Sequence, residues 1–145
     1  MHRSVDITVT LHDDVPTTEG ALIDTGLGDA NAAAAPMRDV RALSAFARAP
    51  SGAVIGGAVG RTWGECCELQ QLWVDPAQRR QGIGARLVRE FERRAEARGC
   101  RTFYLETFSF QAPSLYRSLG YHVGHELRGF APGIVKYLMI REVTP

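Results

Sequence analysis

Long apolar runs are missing from this chain: no stretch approaches the roughly 20 residues that a membrane helix needs. A metal or redox framework is missing too. Of three cysteines, Cys66 and Cys67 are adjacent and poorly placed to bridge each other, Cys100 stands apart, and no CxxC spacing occurs. No metal site is therefore expected. Excess charge is also absent. A net charge of +1 gives the whole molecule no electrostatic reason to bind nucleic acid or a membrane surface. The opening Met1-His2-Arg3-Ser4 runs straight into alternating residues, without the apolar core of a signal peptide, so a cytoplasmic location with reduced thiols is expected. There is no internal repeat, charge block or linker. What remains is ordinary globular composition, 45% hydrophobic and 23% charged, in 145 residues that suit a single domain spanning 1–145.

Along the chain, Val5, Ile7, Val9 and Leu11 alternate with polar residues, the period-two pattern of a half-buried strand. Pro16-Thr17-Thr18-Glu19 predicts a helix start, with Leu22, Ile23 and Leu27 as its buried face. The stretch 26–36, with Gly28 and four consecutive alanines, fits either a second short helix or a loop. Strands are expected over 41–48 and 53–62, around a turn at Pro50-Ser51-Gly52, and over 65–74, stopped by Asp75-Pro76. Helix signals dominate 82–98: Leu87, Val88, Phe91 and Ala95 share one face, and Gly99 follows as a C-terminal cap. A strand over 102–108, a short helix over 113–119 and two strands near 121–126 and 134–141 complete the chain. The order is β-α-(α)-β-β-β-α-β-α-β-β, an α/β domain with a mixed sheet.

Chemistry concentrates between Leu72 and Gly84, where a strand ends, a basic segment turns and two glycines open a long amphipathic helix. A helix N-terminus exposes unpaired N–H groups and partial positive charge, so it suits an anion. Glycines at alternate positions remove the Cβ atoms that would hold a phosphate off the backbone. Arg79 and Arg80 add charge beside them, and the ligand implied is a phosphorylated one. A Walker loop is excluded by the missing GxxxxGK[ST] lysine, and a dinucleotide fingerprint by the missing third glycine. A plain turn with solvated arginines stays open on these residues alone.

Arg79-Arg80-Gln81-Gly82-Ile83-Gly84 matches the (Q/R)xxGx(G/A) acetyl-CoA motif of the GNAT acetyltransferases and follows a strand ending in Leu-Trp-Val-Asp-Pro, as in that family. A second block, from Ser109 to Tyr121, resembles the family's NxxAxxLYxxxGF segment at the expected distance downstream. The resemblance covers about Glu65 to Tyr121, and its Thr-Phe-Ser-Phe-Gln-Ala-Pro run looks like that of small bacterial acetyltransferases. It implies the GNAT acyl-CoA N-acyltransferase fold, a mixed, mostly antiparallel sheet with flanking helices. It also implies acetyl-CoA as co-substrate and a primary amine of a small molecule or peptide as acceptor.

The resemblance also assigns parts. Strands 65–74 and 102–108 should splay apart around the pantetheine arm, next to Leu72, Trp73 and Val74, with the Val74 N–H facing the thioester oxygen. The amides of Gln81, Gly82, Ile83, Gly84 and Ala85, with Arg79 or Arg80, should hold the pyrophosphate. Ser109 stands where many members carry an asparagine that touches the co-substrate. An alkyl ammonium with a pKa near 10.4 is unprotonated in only about one part in 10³–10⁴ at pH 7, so a base is wanted, and an acid for the thiolate. Tyr116 matches the family's acid. Strand alternation puts Glu68 on one face with Gln70, Leu72 and Val74, where some members carry a catalytic glutamate. Glu65, Glu106 or a water chain are the other bases. Trp63, Trp73 and Phe108 are candidates for the acceptor pocket, and Asp24 and Asp29 for attracting a cationic amine. His122 and His125, three apart in a strand, are expected on opposite faces. A homodimer through the apolar final strand, Ile134 to Ile140, is expected because an uncovered edge of that kind aggregates. A non-catalytic acyl-CoA sensor and a toxin or protein-modifying acetyltransferase are the alternatives on the same fold.

Overall fold

The computed structural model describes residues 6–144 and falls into two compact units, Met1–Arg38 and Asp39–Pro145. In the first, residues 6–12 adopt no strand, and Ile7, Val9 and Leu11 are exposed; Val5 lies outside the described residues. Alternation specifies a strand only where a neighbouring strand takes up its hydrogen bonds, and no described strand pairs with this segment. The helix expected after Pro16 is α1, Thr17–Ala34. It runs unbroken through Gly26 and Gly28 into the alanine tract, which resolves the ambiguity at 26–36 in favour of one long helix, as alanine's propensity favours. Within the described residues of this unit nothing covers its expected buried face, and Leu22, Ile23 and Leu27 are exposed.

The second unit is built on a six-stranded sheet in the order β1-β2-β3-β4-β6-β5. The strands are β1 Arg41–Arg48, β2 Val54–Trp63, β3 Cys66–Val74, β4 Thr102–Phe108, β5 His122–Arg128 and β6 Val135–Glu142, all within two residues of the expected bounds. Helix α2, Ile83–Ala97, follows β3, and the short α3, Pro113–Ser118, follows β4. Leu87, Val88, Phe91 and Ala95 of α2 are buried, as the helical period predicts, and form the core with Leu69, Phe103, Leu105 and Met139. Beside them Glu92, 2% exposed, accepts hydrogen bonds from Tyr121 Oη at 2.9 Å and Arg141 Nε at 3.0 Å. A charge so buried is tolerated because it is paired, and it ties α2 to β6.

Every neighbouring pair of strands is antiparallel except β3 and β4, which run parallel for four residue pairs only, from Cys66↔Thr102 to Leu69↔Leu105. Beyond Leu69 and Leu105 the strands part, β3 staying with β2 and β4 with β6, and a fork opens in the middle of the sheet. A β-bulge accompanies the parting. Gly60 pairs with Leu69 and Val59 with Gln71, so Gln70 is the extra residue, and a bulge bends the strand that carries it. Gly60 permits this: a Cβ there would collide with the Glu68 carbonyl oxygen and lie 2.9 Å from Phe91 Cζ.

The bulge overturns one expectation about faces. Leu72 and Val74 pack towards the core, on the side of Leu69, whereas Glu68 and Gln70 point to the opposite face, where the Gln70 amide reaches Glu68 at 3.2 Å. A second bulge, at Gly124, acts likewise in β5: His122 pairs with Ile140 and His125 with Leu138, which puts both histidines on one face, and both are exposed. The final strand is not an edge either. β6 is paired on both sides, by β4 and β5, so its backbone hydrogen bonds are taken up within the sheet.

Candidate active site

The turn between β3 and α2 comes first. Asp75 accepts a hydrogen bond from the Ala77 N–H at 3.0 Å and caps a 3-10 turn, Pro76–Gln78. Arg79 Nε then donates to the Val74 carbonyl at 3.2 Å, pinning the loop to the end of β3. Arg80 and Gly82 both adopt left-handed backbone, at φ 66° and 74°. For an arginine that conformation is strained, and such strain gathers at ligand clamps. Gly82 stands at the N-cap of α2 and offers no side chain, so no side-chain oxygen caps the helix's first N–H groups. No acidic side chain occupies its first turn. The helix start is therefore free to bind an anion, with Arg80 beside it.

The fork supplies the rest. The Asp75 N–H donates to Ile55 in β2 at 2.8 Å, and strand alternation therefore turns the N–H groups of Val74 and Leu72 into the fork. A cleft of about 930 Å³ runs from the α2 turn into this opening. Leu72, Trp73 and Val74 form one bank, Arg79, Arg80, Gly82, Ile83, Gly84 and Ala85 its end, and Glu106, Thr107, Gln111, Leu115 and Tyr116 the other bank. Sequence-predicted residues thus converge on one cavity from two separate segments.

Gln81, Ser109 and Glu68 lie outside its lining. Gln81 turns its side chain to Gln78 at 3.3 Å. Ser109 is held by β6: its Oγ accepts from the Val135 N–H at 3.1 Å and donates to the Gly133 carbonyl at 3.4 Å. The cleft is reached instead by Gln111, whose side-chain oxygen accepts the Phe108 N–H at 2.8 Å, a residue that the sequence reading did not single out. Glu68 forms an ion pair with Arg61 at 3.0 Å on the sheet face opposite α2, across from Tyr104 and one rung before the fork. On that same face Glu106, the first residue of β4 beyond the fork, lines the cleft and is paired to Lys136 at 2.7 Å.

Tyr116 is 7% exposed, its ring set edge-on to Tyr121 with centroids 6.0 Å apart. Burial alone raises its pKa above the ordinary 10.0, so the phenol keeps its proton at neutral pH. That is the form an acid requires. No cysteine lines the cleft, and burial pushes the Cys67 thiol up to about 12, which leaves it unreactive. Trp73 borders the cleft and Trp63 does not; Phe108 stands behind Phe110, stacked at 5.3 Å, and Phe110 lines the cavity. Asp24 and Asp29 belong to α1, in the other unit.

Comparison with known proteins agrees with this geometry. The profile of the Acetyltransferase (GNAT) family matches residues 22–121. The blasticidin-S acetyltransferase of Streptomyces morookaense is 34% identical over 112 residues, 74% of this chain and 82% of that protein. Among solved structures, a candidate acetyltransferase from Agrobacterium tumefaciens is 27% identical with a TM-score of 0.80, covering 94% of this chain and 99% of the other. An acetyltransferase from Bacillus cereus ATCC 14579 superimposes with a TM-score of 0.76 at 25% identity, over 92% and 98% of the two chains.

Proposed function

The chain belongs to the GNAT acetyltransferase family and uses acetyl-CoA, and from that premise we propose that it acetylates a primary amine of a small molecule by direct attack within a ternary complex. The observation that carries this reading is the forked sheet, whose cleft joins an uncapped helix start to the buried phenol of Tyr116. Acetyl-CoA lies along it. The N–H groups at the start of α2, with Arg80 above them, hold the pyrophosphate, while Leu72 and Val74 extend hydrogen bonds to the pantetheine as a neighbouring strand would. The Val74 N–H stabilises the oxyanion. The family match runs across both units, which supports treating residues 1–145 as one catalytic domain.

The amine approaches from the face opposite α2, where Glu68 and Glu106 border the fork. Glu106 lines the cleft and Glu68 does not, so we give Glu106 the role of proton acceptor and Glu68 a supporting one. The nitrogen attacks the thioester carbon, the C–S bond breaks, and Tyr116 protonates the departing sulfur. The absence of a usable thiol in the cleft supports transfer without an acyl-enzyme. Free thiols and dependence on acetyl-CoA fit a cytoplasmic enzyme.

The test has two arms. Calorimetry should give micromolar acetyl-CoA affinity that Gly84→Val abolishes; an added Cβ at Gly84 meets only ordinary contacts, so the apo fold should survive. A screen of CoA release over blasticidin S, aminoglycosides, polyamines, amino acids and peptides should then find an acceptor. Tight acetyl-CoA binding with no turnover on any amine, and no effect of Tyr116 or Glu106 on any property but binding, would favour a sensor instead.

A further inference from the structure

Of the 17 lysines and arginines in this chain only one is a lysine, and it is Lys136. Every other cationic side chain is an arginine, a poor acceptor for acetyl groups. The one lysine is not placed at random on the surface. It lies in β6 opposite Phe108, on the same sheet face as Glu106, and its Nζ is 2.7 Å from Glu106 Oε2. Glu106 in turn lines the co-substrate cleft. The ammonium also lies 5.6 Å from the centre of the Phe108 ring, and its side chain is 33% exposed. A primary alkylammonium is thus already held, by an aromatic face and by a carboxylate that itself lines the cleft, with Lys136 just behind that lining.

We infer that Lys136 is an internal acetyl acceptor, so that the protein acetylates itself at this position when acetyl-CoA is bound and no competing amine is present. This rests on the acetyltransferase reading of the cleft. Glu106 accepts one proton from the Lys136 ammonium, and the freed lone pair forms the N–C bond with the thioester carbon. The C–S bond breaks as Tyr116 gives its proton to the sulfur. The second nitrogen proton restores the phenol through solvent, so the balance is one acetyl-lysine, one CoA thiol and one proton released. The product side chain is neutral and no longer pairs with Glu106.

The experiment uses the intact protein with acetyl-CoA as the only added reagent. Trypsin normally cuts after Lys136, whereas acetylation there leaves the fragment 129–141 whole, and mass spectrometry reads its accumulation. The expected result is an acetylated 129–141 fragment that forms at a rate independent of protein concentration. Glu106→Gln should slow it by about 10²-fold or more, the scale for losing a proton acceptor, and Gly84→Val should reduce it to background. Complete cleavage at Lys136, with calorimetry showing acetyl-CoA bound, would overturn the inference while leaving the acetyltransferase reading intact. Equal rates in the wild type, Glu106→Gln and Gly84→Val would overturn it as well, because the modification would then be uncatalysed. Failure of acetyl-CoA to bind would overturn the reading beneath it.

Discussion

Tyr116 is the residue at which chemistry and packing make different forecasts. It is in the core cluster and also in the cleft lining. Tyr116→Phe keeps the ring and removes only the hydroxyl. If the phenol protonates the thiolate, kcat should fall by about 10²-fold with acetyl-CoA affinity nearly unchanged; full turnover with a lowered Tm would make it a packing residue. Its burial has a second consequence. The pKa of Tyr116 is raised above 10.0 by burial, and that of Tyr121 by burial and then by the charge of Glu92. In the unfolded chain both phenols ionise near the ordinary value, while the folded protein holds its protons longer. Their contribution to stability is therefore complete below about pH 10 and is lost as pH rises through the folded-state values. Melting curves should fall steadily above pH 10, with a shallower fall in Tyr116→Phe; a flat profile would mean that both phenols are hydrated. At this scale the sequence was legible where a motif fixed the residue, as for Tyr116 and the glycines. It was not legible for Ser109 and Gln111, because which of them reaches the cleft depends on how the turn after β4 meets β6.

At the scale of elements, α2 was readable because it buries one regular face, and the six strands of the sheet from their apolar runs and the turn residues between them. The two bulges were not. Gln70 and Gly124 each interrupt a period-two pattern without changing its composition, and each reverses which residues share a face. That is why alternation grouped Glu68 with Leu72, and separated two histidines that lie together. The trace of the first bulge in the sequence is Gly60, on the neighbouring strand and informative only once the register is known. Gly60→Ala should test its role. The new methyl group must push against the Glu68 carbonyl and Phe91, so the substitution should cost about 1–3 kcal/mol, the range for overpacking a core. It should also weaken acetyl-CoA binding, since the bend it disturbs is the one that opens the fork. Urea denaturation gives the first quantity and calorimetry the second. Wild-type values for both would show that the bulge does not depend on this contact.

For the whole molecule the question is assembly. The case for a dimer through the final strand assumed that β6 ends the sheet, and chain order alone invites that assumption. The strand order refutes it: β5 comes before β6 in sequence and outside it in space. Among the described residues, the outer strands of the sheet are β1 and β5. Along β5 the exposed residues include His122, His125, Glu126 and Arg128, and the Gly124 bulge kinks the strand. At the start of β1, Arg98 donates to the carbonyls of Arg41 and Ala42 at 3.5 and 3.1 Å. Charge, a bulge and occupied carbonyls are the devices by which native sheets discourage edge-to-edge pairing. Neither edge is a good template for a second copy, and the expectation changes accordingly. Light scattering at tens of micromolar should give the mass of one chain, about 15.9 kDa. A mass twice that would require a surface other than a sheet edge, and the exposed Leu127 and Phe130 of the β5–β6 hairpin provide the check. Leu127→Glu would split a dimer built on those apolar side chains and would leave one built on another surface intact.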